Sequence, residues 1–356
     1  MDYQTIERVK NGINNCGVGP ETIALMLTRV CNLRCAYCRG GREGFTPQES
    51  PAPSDELSAQ ELLEMLKDAR GLGVKEINLG GMSGEPFCKK DIFWLLSKIK
   101  ELGFVGSMTT NGFFLNREAA ELLARIKWDI LLLSFDSSDN SIHQRLRPAL
   151  NGENYFPRVV EFLQTLDSLE SGVRVLLNVV ITRLNYRGFP DLVKFANSHK
   201  CIESINVLKL LNAGLPNYDS LQLGPDDLHW FRQVLQGFQG EKKIRYIDNW
   251  IEKEGHSGDS RLSSGNPGPG LREARNCFTN YYILSIDANG DIIKCPQCLV
   301  KVSGLNIRNT PLRHLWKNEH LLFRKKLAEN ADCFEGCCTI LKEQNKLIRS
   351  SLSAGG

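Results

Sequence analysis

What the 356-residue chain lacks narrows it first. It holds no run of about 18 apolar residues, the length a membrane-spanning helix needs. Its opening stretch, MDYQTIERVKNG, mixes charges and has no apolar segment of the kind a secretory signal carries. A cytoplasmic protein without membrane contact is therefore expected. Net charge is only +3, and no block of basic residues occurs, so nucleic acid is not the expected partner. Internal repeats are absent, and low complexity is confined to residues 255–270, rich in Gly, Ser and Pro. Histidine is scarce, at six residues, and the first is His143.

Cysteine is what the chain has in quantity. There are 12, and in a reducing compartment clustered cysteines indicate metal rather than disulfides. Cys31, Cys35 and Cys38 form one group, spaced C-x3-C-x2-C. Cys277, Cys295, Cys298, Cys333, Cys337 and Cys338 form a second. Cys16, Cys88 and Cys201 stand apart and read as small buried hydrophobes.

The rest of the composition, 42% hydrophobic and 24% charged, suits a globular core of this length. From Glu21 to about Leu210, strand and helix patterns alternate. Strand candidates are 21–28, 74–79, 105–110, 128–134, 173–181 and 204–210. Helices are expected at 58–72, 91–102, 117–126, 156–169 and 189–198. Ser58 and Glu61 have capping-box spacing, with Leu57 and Leu62 placed as an apolar staple. Six β/α units in series predict a parallel sheet curled into a full or partial barrel, an α/β fold whose chemistry sits at the C-terminal strand ends. The first cysteine group follows strand one, at that end. After Leu210 the pattern changes: a helix at 226–235, the 255–270 linker or lid, a β-hairpin turning at Gly290, and short helices at 312–316 and 319–329.

Three thiolates on one loop suit zinc or an iron–sulfur cluster. Zinc would usually take a fourth Cys or His nearby, and no histidine is near. A 4Fe–4S cluster with three protein ligands leaves one iron open. CNLRCAYC resembles the cluster-binding loop of the radical S-adenosylmethionine (SAM) enzymes, in which the amino and carboxylate groups of SAM chelate that iron. The family cleaves SAM reductively to a 5′-deoxyadenosyl radical that takes a hydrogen atom from substrate.

By this resemblance Cys31, Cys35 and Cys38 hold the cluster and Tyr37 packs under adenine. GGMSGEP is similar to the family's Gly-Gly-Glu-Pro motif, with Gly80 and Gly81 displaced from Gly84-Glu85-Pro86; Gly84 and Glu85 would receive the SAM ammonium. Asn111 belongs to a Thr-Asn-Gly stretch also found in the family. Ser134 and Asp136 end strand four and would meet the ribose hydroxyls or the SAM carboxylate. Arg147, or Arg145, would pair with that carboxylate, against the alternative of a solvated arginine. Asn178 is a further ribose or carboxylate contact, or a core-facing asparagine.

The second group resembles the C-terminal extension called SPASM, or its shorter relative, the twitch domain. The resemblance implies one auxiliary 4Fe–4S cluster on Cys277, Cys295, Cys333 and Cys337, with a structural zinc knuckle as the alternative. Cys298 and Cys338 are spare; either could replace Cys333 or Cys337 as a ligand, and each is a candidate hydrogen-atom donor. Asp287 and Asp291 read as turn residues. The expected architecture is an N-terminal segment at 1–20, a partial (β/α)6 TIM-like barrel at 21–240, a linker or lid at 241–275, a small SPASM/twitch-like domain at 276–342 and a tail at 343–356.

The expected activity is hydrogen abstraction leading to dehydrogenation or epimerisation of a small polar metabolite such as a sugar or aminocyclitol. The alternative substrate is a ribosomally made peptide or protein, and a non-catalytic metal-binding scaffold is the reading from another class. Only about 20 residues precede strand one, short for a peptide-recognition domain, which favours the small molecule. A flavodoxin- or ferredoxin-type donor is the implied electron source. No cobalamin-binding domain is evident.

Overall fold

The computed structural model describes residues 19–38, 55–80, 84–211, 217–238, 243–245, 278–295 and 298–316, together with Val9, Glu241, Trp250, Leu347, Ile348, Ser350 and Ser351. Six parallel strands form its centre: β1 (Thr22–Leu25), β2 (Glu76–Leu79), β3 (Val105–Thr110), β4 (Ile130–Ser134), β5 (Arg174–Ile181) and β6 (Ile202–Lys209). Helices cover them: α1 (Ala59–Gly71), α2 (Ile92–Glu101), α3 (Arg117–Arg125), α4 (Asn140–Leu146), α5 (Phe156–Ser168) and α6 (Phe189–Asn197). This is the expected α/β fold with a partial (β/α)6 TIM-like barrel. The short α7 (Tyr218–Leu221) and α8 (Pro225–Gln236) follow.

Alternation along the strands separates two faces. Ile23, Leu25, Ile77, Leu79, Met108, Leu131, Leu133, Val175, Leu177 and Ile205 have no measurable exposure and pack in one core with the helix stripes. Each such side chain contributes roughly 1.5–3 kcal/mol as an upper estimate. The intervening positions carry Glu76, Asn78, Ser107, Ser134, Asn178 and Asn206. The sheet is thus apolar towards its helices, and the other face mixes these polar residues with Leu132, Leu176 and Leu208. α1 starts at the predicted capping box: Ser58 N–H lies 2.7 Å from Glu61 Oε2, and Ser58 Oγ accepts from Glu61 N–H at 3.3 Å. Leu57 and Leu62 are both buried in the core.

Three features go beyond the sequence reading. α4 covers a stretch to which that reading assigned no element; Asp139 caps it by accepting from Ile142 N–H at 3.0 Å. The 241–275 segment, expected as a linker, contributes a seventh parallel strand, β7 (Ile244–Arg245), beside β6. The C-terminal hairpin does not stand apart either. Its strand β8 (Ile283–Ile286) pairs parallel to β1, and β9 (Asp291–Cys295) and β10 (Cys298–Asn306) continue antiparallel. One ten-stranded sheet results, ordered β10-β9-β8-β1-β2-β3-β4-β5-β6-β7. β10 was missed because Gly304, Leu305 and Asn306 look like a turn. α9 (Leu312–His314) ends the described C-terminal part.

Residues 255–270, the helix expected at 319–329, and Cys16, Cys277, Cys333, Cys337 and Cys338 lie outside the described residues, as do residues 81–83 of the GGMSGEP stretch. Among the described residues no helix is long and apolar enough to cross a membrane.

Candidate active site

The cysteine loop runs from the C-terminal end of β1 over the mouth of the barrel. Backbone bonds pin it to the segment after α4: Arg34 N–H to Pro148 O at 2.9 Å, Ala36 N–H to Leu146 O at 2.8 Å, and Leu150 N–H to Asn32 O at 2.9 Å. Leu33 bridges Ala149, and its side chain is buried. Within the loop Cys38 N–H donates to Cys35 O at 3.1 Å. Anchoring on both sides leaves Cys31, Cys35 and Cys38 half-buried on one short turn.

Two side chains donate to the sulfurs. Asn111 Nδ2 is 3.8 Å from Cys31 Sγ, and Arg147 Nη1 is 3.7 Å from Cys35 Sγ. As free thiols these groups would stay protonated, since burial raises Cys31 and pushes Cys35 up to about 12. Donors aimed at sulfurs of this kind fit thiolates whose charge a bound cluster shares. Three thiols on one anchored loop, two of them accepting from buried polar side chains, are a donor set that fits a 4Fe–4S group.

Asp136, at the end of β4, anchors the next layer. Its Oδ1 accepts from Val180 N–H at 2.9 Å, and its Oδ2 from Arg147 Nε at 2.7 Å and from the Tyr37 hydroxyl. Asn185 Nδ2 donates to the Asp136 carbonyl at 2.8 Å. Asp136 and Arg147 are 1% and 6% exposed, so this is a buried ion pair. The Arg147 guanidinium lies 5.6 Å from the Tyr37 ring centroid. Burial holds the Tyr37 phenol well above its ordinary range, and Asp136 adds to the effect against Arg147. Arg145, the other arginine considered, does not join this network among the described contacts.

Glu85 follows Gly84 in the loop after β2. Its carboxylate accepts from Thr110 Oγ1 at 2.6 Å, Asn111 N–H at 2.7 Å and Phe87 N–H at 3.3 Å. It is 2% exposed, and burial pushes it up to about 7 against those bonds. Its own N–H reaches Val30 O at 2.8 Å. Gly84 has φ of +80°, and a Cβ there would fall 1.9 Å from Thr28 O. Glycine is required on both counts: a side chain would fit neither the dihedral nor the approach to the cysteine loop.

Ser134, Asn178 and Asn206 stand in register across β4, β5 and β6. Asn206 Nδ2 donates to Asn178 Oδ1 at 2.8 Å. Asn78 Nδ2 likewise reaches Ser107 Oγ at 2.7 Å. The structure therefore brings Cys31, Cys35, Cys38, Tyr37, Asn111, Asp136 and Arg147 into direct contact chains, with Glu85 joined through Thr110 and Asn111. Ser134 and Asn178 lie on the adjoining wall. Cys295 and Cys298 face each other in backbone register at the β9–β10 turn.

Sequence reading missed several members. Asn32 Oδ1 takes the second hydrogen of Asn111 at 3.0 Å. Cys88, read as an isolated hydrophobe, lies against the cysteine loop: Asn32 N–H and Cys31 both act on its thiol, which burial pushes up to about 12. Asn206 was legible as a polar residue inside an apolar strand. Asp287, read as a turn residue, does close the hairpin, with Gly290 N–H 2.9 Å from its carbonyl; its carboxylate, however, is fully buried against Arg29.

A parallel barrel bearing three cysteines on the loop after β1, with a Gly-Glu-Pro turn after β2, defines a class, and sequence comparison agrees. Residues 25–196 match the family described as Radical SAM superfamily, and the chain carries a radical SAM domain. That family implies SAM and a 4Fe–4S cluster. The chain is similar to a probable GTP 3',8-cyclase of Sulfolobus acidocaldarius, 32% identical over 55% of this chain and 58% of the relative, so it spans under two thirds of that protein. It is also similar to the mycofactocin maturase MftC of Mycolicibacterium smegmatis, 23% identical over 93% of this chain and 78% of the relative. Among solved structures, Streptococcus suis SuiB bound to precursor peptide SuiA superposes with a TM-score of 0.65, covering 94% of this chain and 73% of SuiB at 19% identity.

Proposed function

We propose that this radical SAM enzyme abstracts a hydrogen atom from a polar substrate held against the inner wall of the barrel, leading to its oxidation or epimerisation. The reading is carried by the three-thiol loop at the barrel mouth, with Asn111 and Arg147 donating to two of its sulfurs. Cys31, Cys35 and Cys38 would hold the cluster, whose chemistry in the family is one-electron cleavage of SAM. Gly84 and Glu85 would meet the SAM ammonium, and Ser134 and Asn178 its ribose or carboxylate. Asp136 serves chiefly to fix Arg147 and Tyr37, because both already donate to its carboxylate. A flavodoxin- or ferredoxin-type protein would supply the electron.

The second cysteine group would hold an auxiliary cluster in a SPASM/twitch-like extension over 276–342, on Cys277, Cys295, Cys333 and Cys337, with Cys298 or Cys338 as hydrogen-atom donor if the outcome is epimerisation. For substrate, a peptide is favoured. The maturase relative matches through the C-terminal extension, whereas the cyclase match covers little over half of this chain. A small polar metabolite is the second reading, supported by the hydrogen-bonding side chains of Asn78, Ser107, Ser134, Asn178 and Asn206 on that wall.

Anaerobic reconstitution tests the proposal. It should give about eight irons per chain, four for each 4Fe–4S cluster, and reductant-dependent formation of 5′-deoxyadenosine. A Cys31→Ala/Cys35→Ala/Cys38→Ala variant that still cleaved SAM would overturn it. Four irons with zinc at the second site would remove the auxiliary cluster alone.

A further inference from the structure

Two ion pairs drawn from four separate segments, Arg29–Asp287 and Lys89–Glu56, are joined through the Arg29 backbone N–H at the entry to the cysteine loop. Arg29 Nε donates to Asp287 Oδ1 at 3.0 Å, and Arg29 Nη2 donates to Asp287 Oδ2. Arg29 N–H reaches Glu56 Oε1 at 3.3 Å, and Lys89 Nζ reaches Glu56 Oε2 at 3.1 Å. Lys89 Nζ also donates to Leu57 O at 2.8 Å. The side chains of Arg29, Asp287, Lys89 and Glu56 are 9%, 0%, 14% and 8% exposed. Removing such charges from water is costly, and the arrangement persists only because each group is bonded.

The four segments are not equivalent. Arg29 lies two residues before Cys31. Lys89 ends the turn that begins with Glu85 and Pro86. Glu56 leads into α1. Asp287 lies in the turn of the hairpin that ends at Cys295. Backbone contacts repeat the linkage: Leu57 N–H to Ala288 O at 2.7 Å, and Glu85 N–H to Val30 O at 2.8 Å. Thr28 and Arg29 are also the residues against which Gly84 packs without a Cβ. A displacement of the hairpin turn is therefore carried by the Arg29 fork into the backbone entering Cys31 and the backbone facing Gly84.

We propose that Arg29 and Asp287 are a positioning pair, through which the C-terminal hairpin sets the geometry of the SAM-cleaving loop. The proposal deepens the reading above and rests on Cys31, Cys35 and Cys38 being the cluster ligands. SAM cleavage then depends on the hairpin being docked, so the radical is generated efficiently only in a chain whose C-terminal extension is in place. Neither residue touches the reacting atoms; both act through Cys31 and Gly84.

The test uses the full-length protein with Arg29→Met, Asp287→Leu and the Arg29→Met/Asp287→Leu double variant. Either single change removes one partner of a buried ion pair and lowers the thermal midpoint. The double change replaces the ion pair with apolar groups and should recover much of the midpoint lost in the single variants. With folding restored, the double variant should still show an about tenfold higher KM for SAM in substrate-free cleavage, on the scale of lost outer contacts to a metal site. It should also show a shifted midpoint potential of the SAM-binding cluster. Hydrogen exchange at residues 28–38 of metal-free protein should be about tenfold faster than in the wild type. A double variant with wild-type KM, potential and exchange would overturn the proposal. Failure of the wild type to cleave SAM would instead defeat the proposed function, and the exchange comparison would still report on the pair.

Discussion

Arg147 and Asp136 form a buried ion pair, 2.7 Å from Nε to Oδ2, and the same guanidinium reaches the Cys35 sulfur through Nη1. One arginine thereby links the end of β4 to the loop that would hold the cluster. Arg147→Met should remove the cation from the buried Asp136 pair, at a cost of about 3–5 kcal/mol. Denaturant unfolding reads the stability loss, and iron content after reconstitution reads the loop. Arg147→Lys keeps the charge but cannot span both partners. It should lose less stability while still shifting the cluster's spectrum.

Gly84→Ala tests the contact between the Glu85 turn and the cysteine loop. The added Cβ would meet Thr28 O at 1.9 Å, and φ is +80°. Residues held in such conformations cost about 1–3 kcal/mol, and here the backbone must also move apart. SAM affinity, measured by equilibrium binding to reconstituted enzyme, should fall at least about tenfold, equivalent to about 1.4 kcal/mol. Gly152→Ala also has positive φ but meets nothing within 4 Å, so it should cost stability without changing SAM affinity.

His143 makes the fold acid-sensitive. The ring is fully buried among Phe135, Tyr155 and Phe156, with Nε2 3.2 Å from the Tyr155 hydroxyl. Burial lowers its pKa from 6.5 to about 3, with Arg147 adding to the effect. The folded chain keeps His143 neutral, whereas the unfolded chain takes up a proton below 6.5. Its stability contribution is complete above pH 6.5 and is lost as pH falls towards 3, by up to about 1.4 kcal/mol per pH unit. His143→Phe should flatten that limb in denaturant titrations at pH 7.5, 6.5 and 5.5. Parallel wild-type and variant curves would rule out this role.

Ser58→Ala provides a control, since the hydrogen bonds its side chain makes are to Glu61. It removes the side-chain half of the α1 capping box and should cost about 1 kcal/mol. SAM cleavage per folded enzyme should be unchanged.

Much of the barrel was readable because its signals are local. Val105–Thr110 was delimited as observed, and α5 and α6 differ by one residue at the end. Periodicity and capping arise within a few residues, so the sequence carries them openly. The short elements were harder. α4 has seven residues, too few for a clear helical period, and β10 contains a glycine and two register shifts. The cysteine loop was legible as a motif, and Glu85 and Asn111 as parts of similar motifs. Their mutual bonding, and the roles of Asn32, Asn206 and Arg29, were not.

By itself, the sequence determined the strand–helix alternation, the apolar face of each strand and the spacing of Cys31, Cys35 and Cys38, because each depends on residues close along the chain. Tertiary structure decided which groups those cysteines meet. Arg147 arrives from 112 positions away, and Asp287 reaches Arg29 across 258. Such pairings follow from strand order and register. The parallel seating of β8 on β1 brings a hairpin from the far end of the sequence beside the cysteine loop. No local pattern encodes that meeting; the sheet's edge pairing and the need to bond buried charges do.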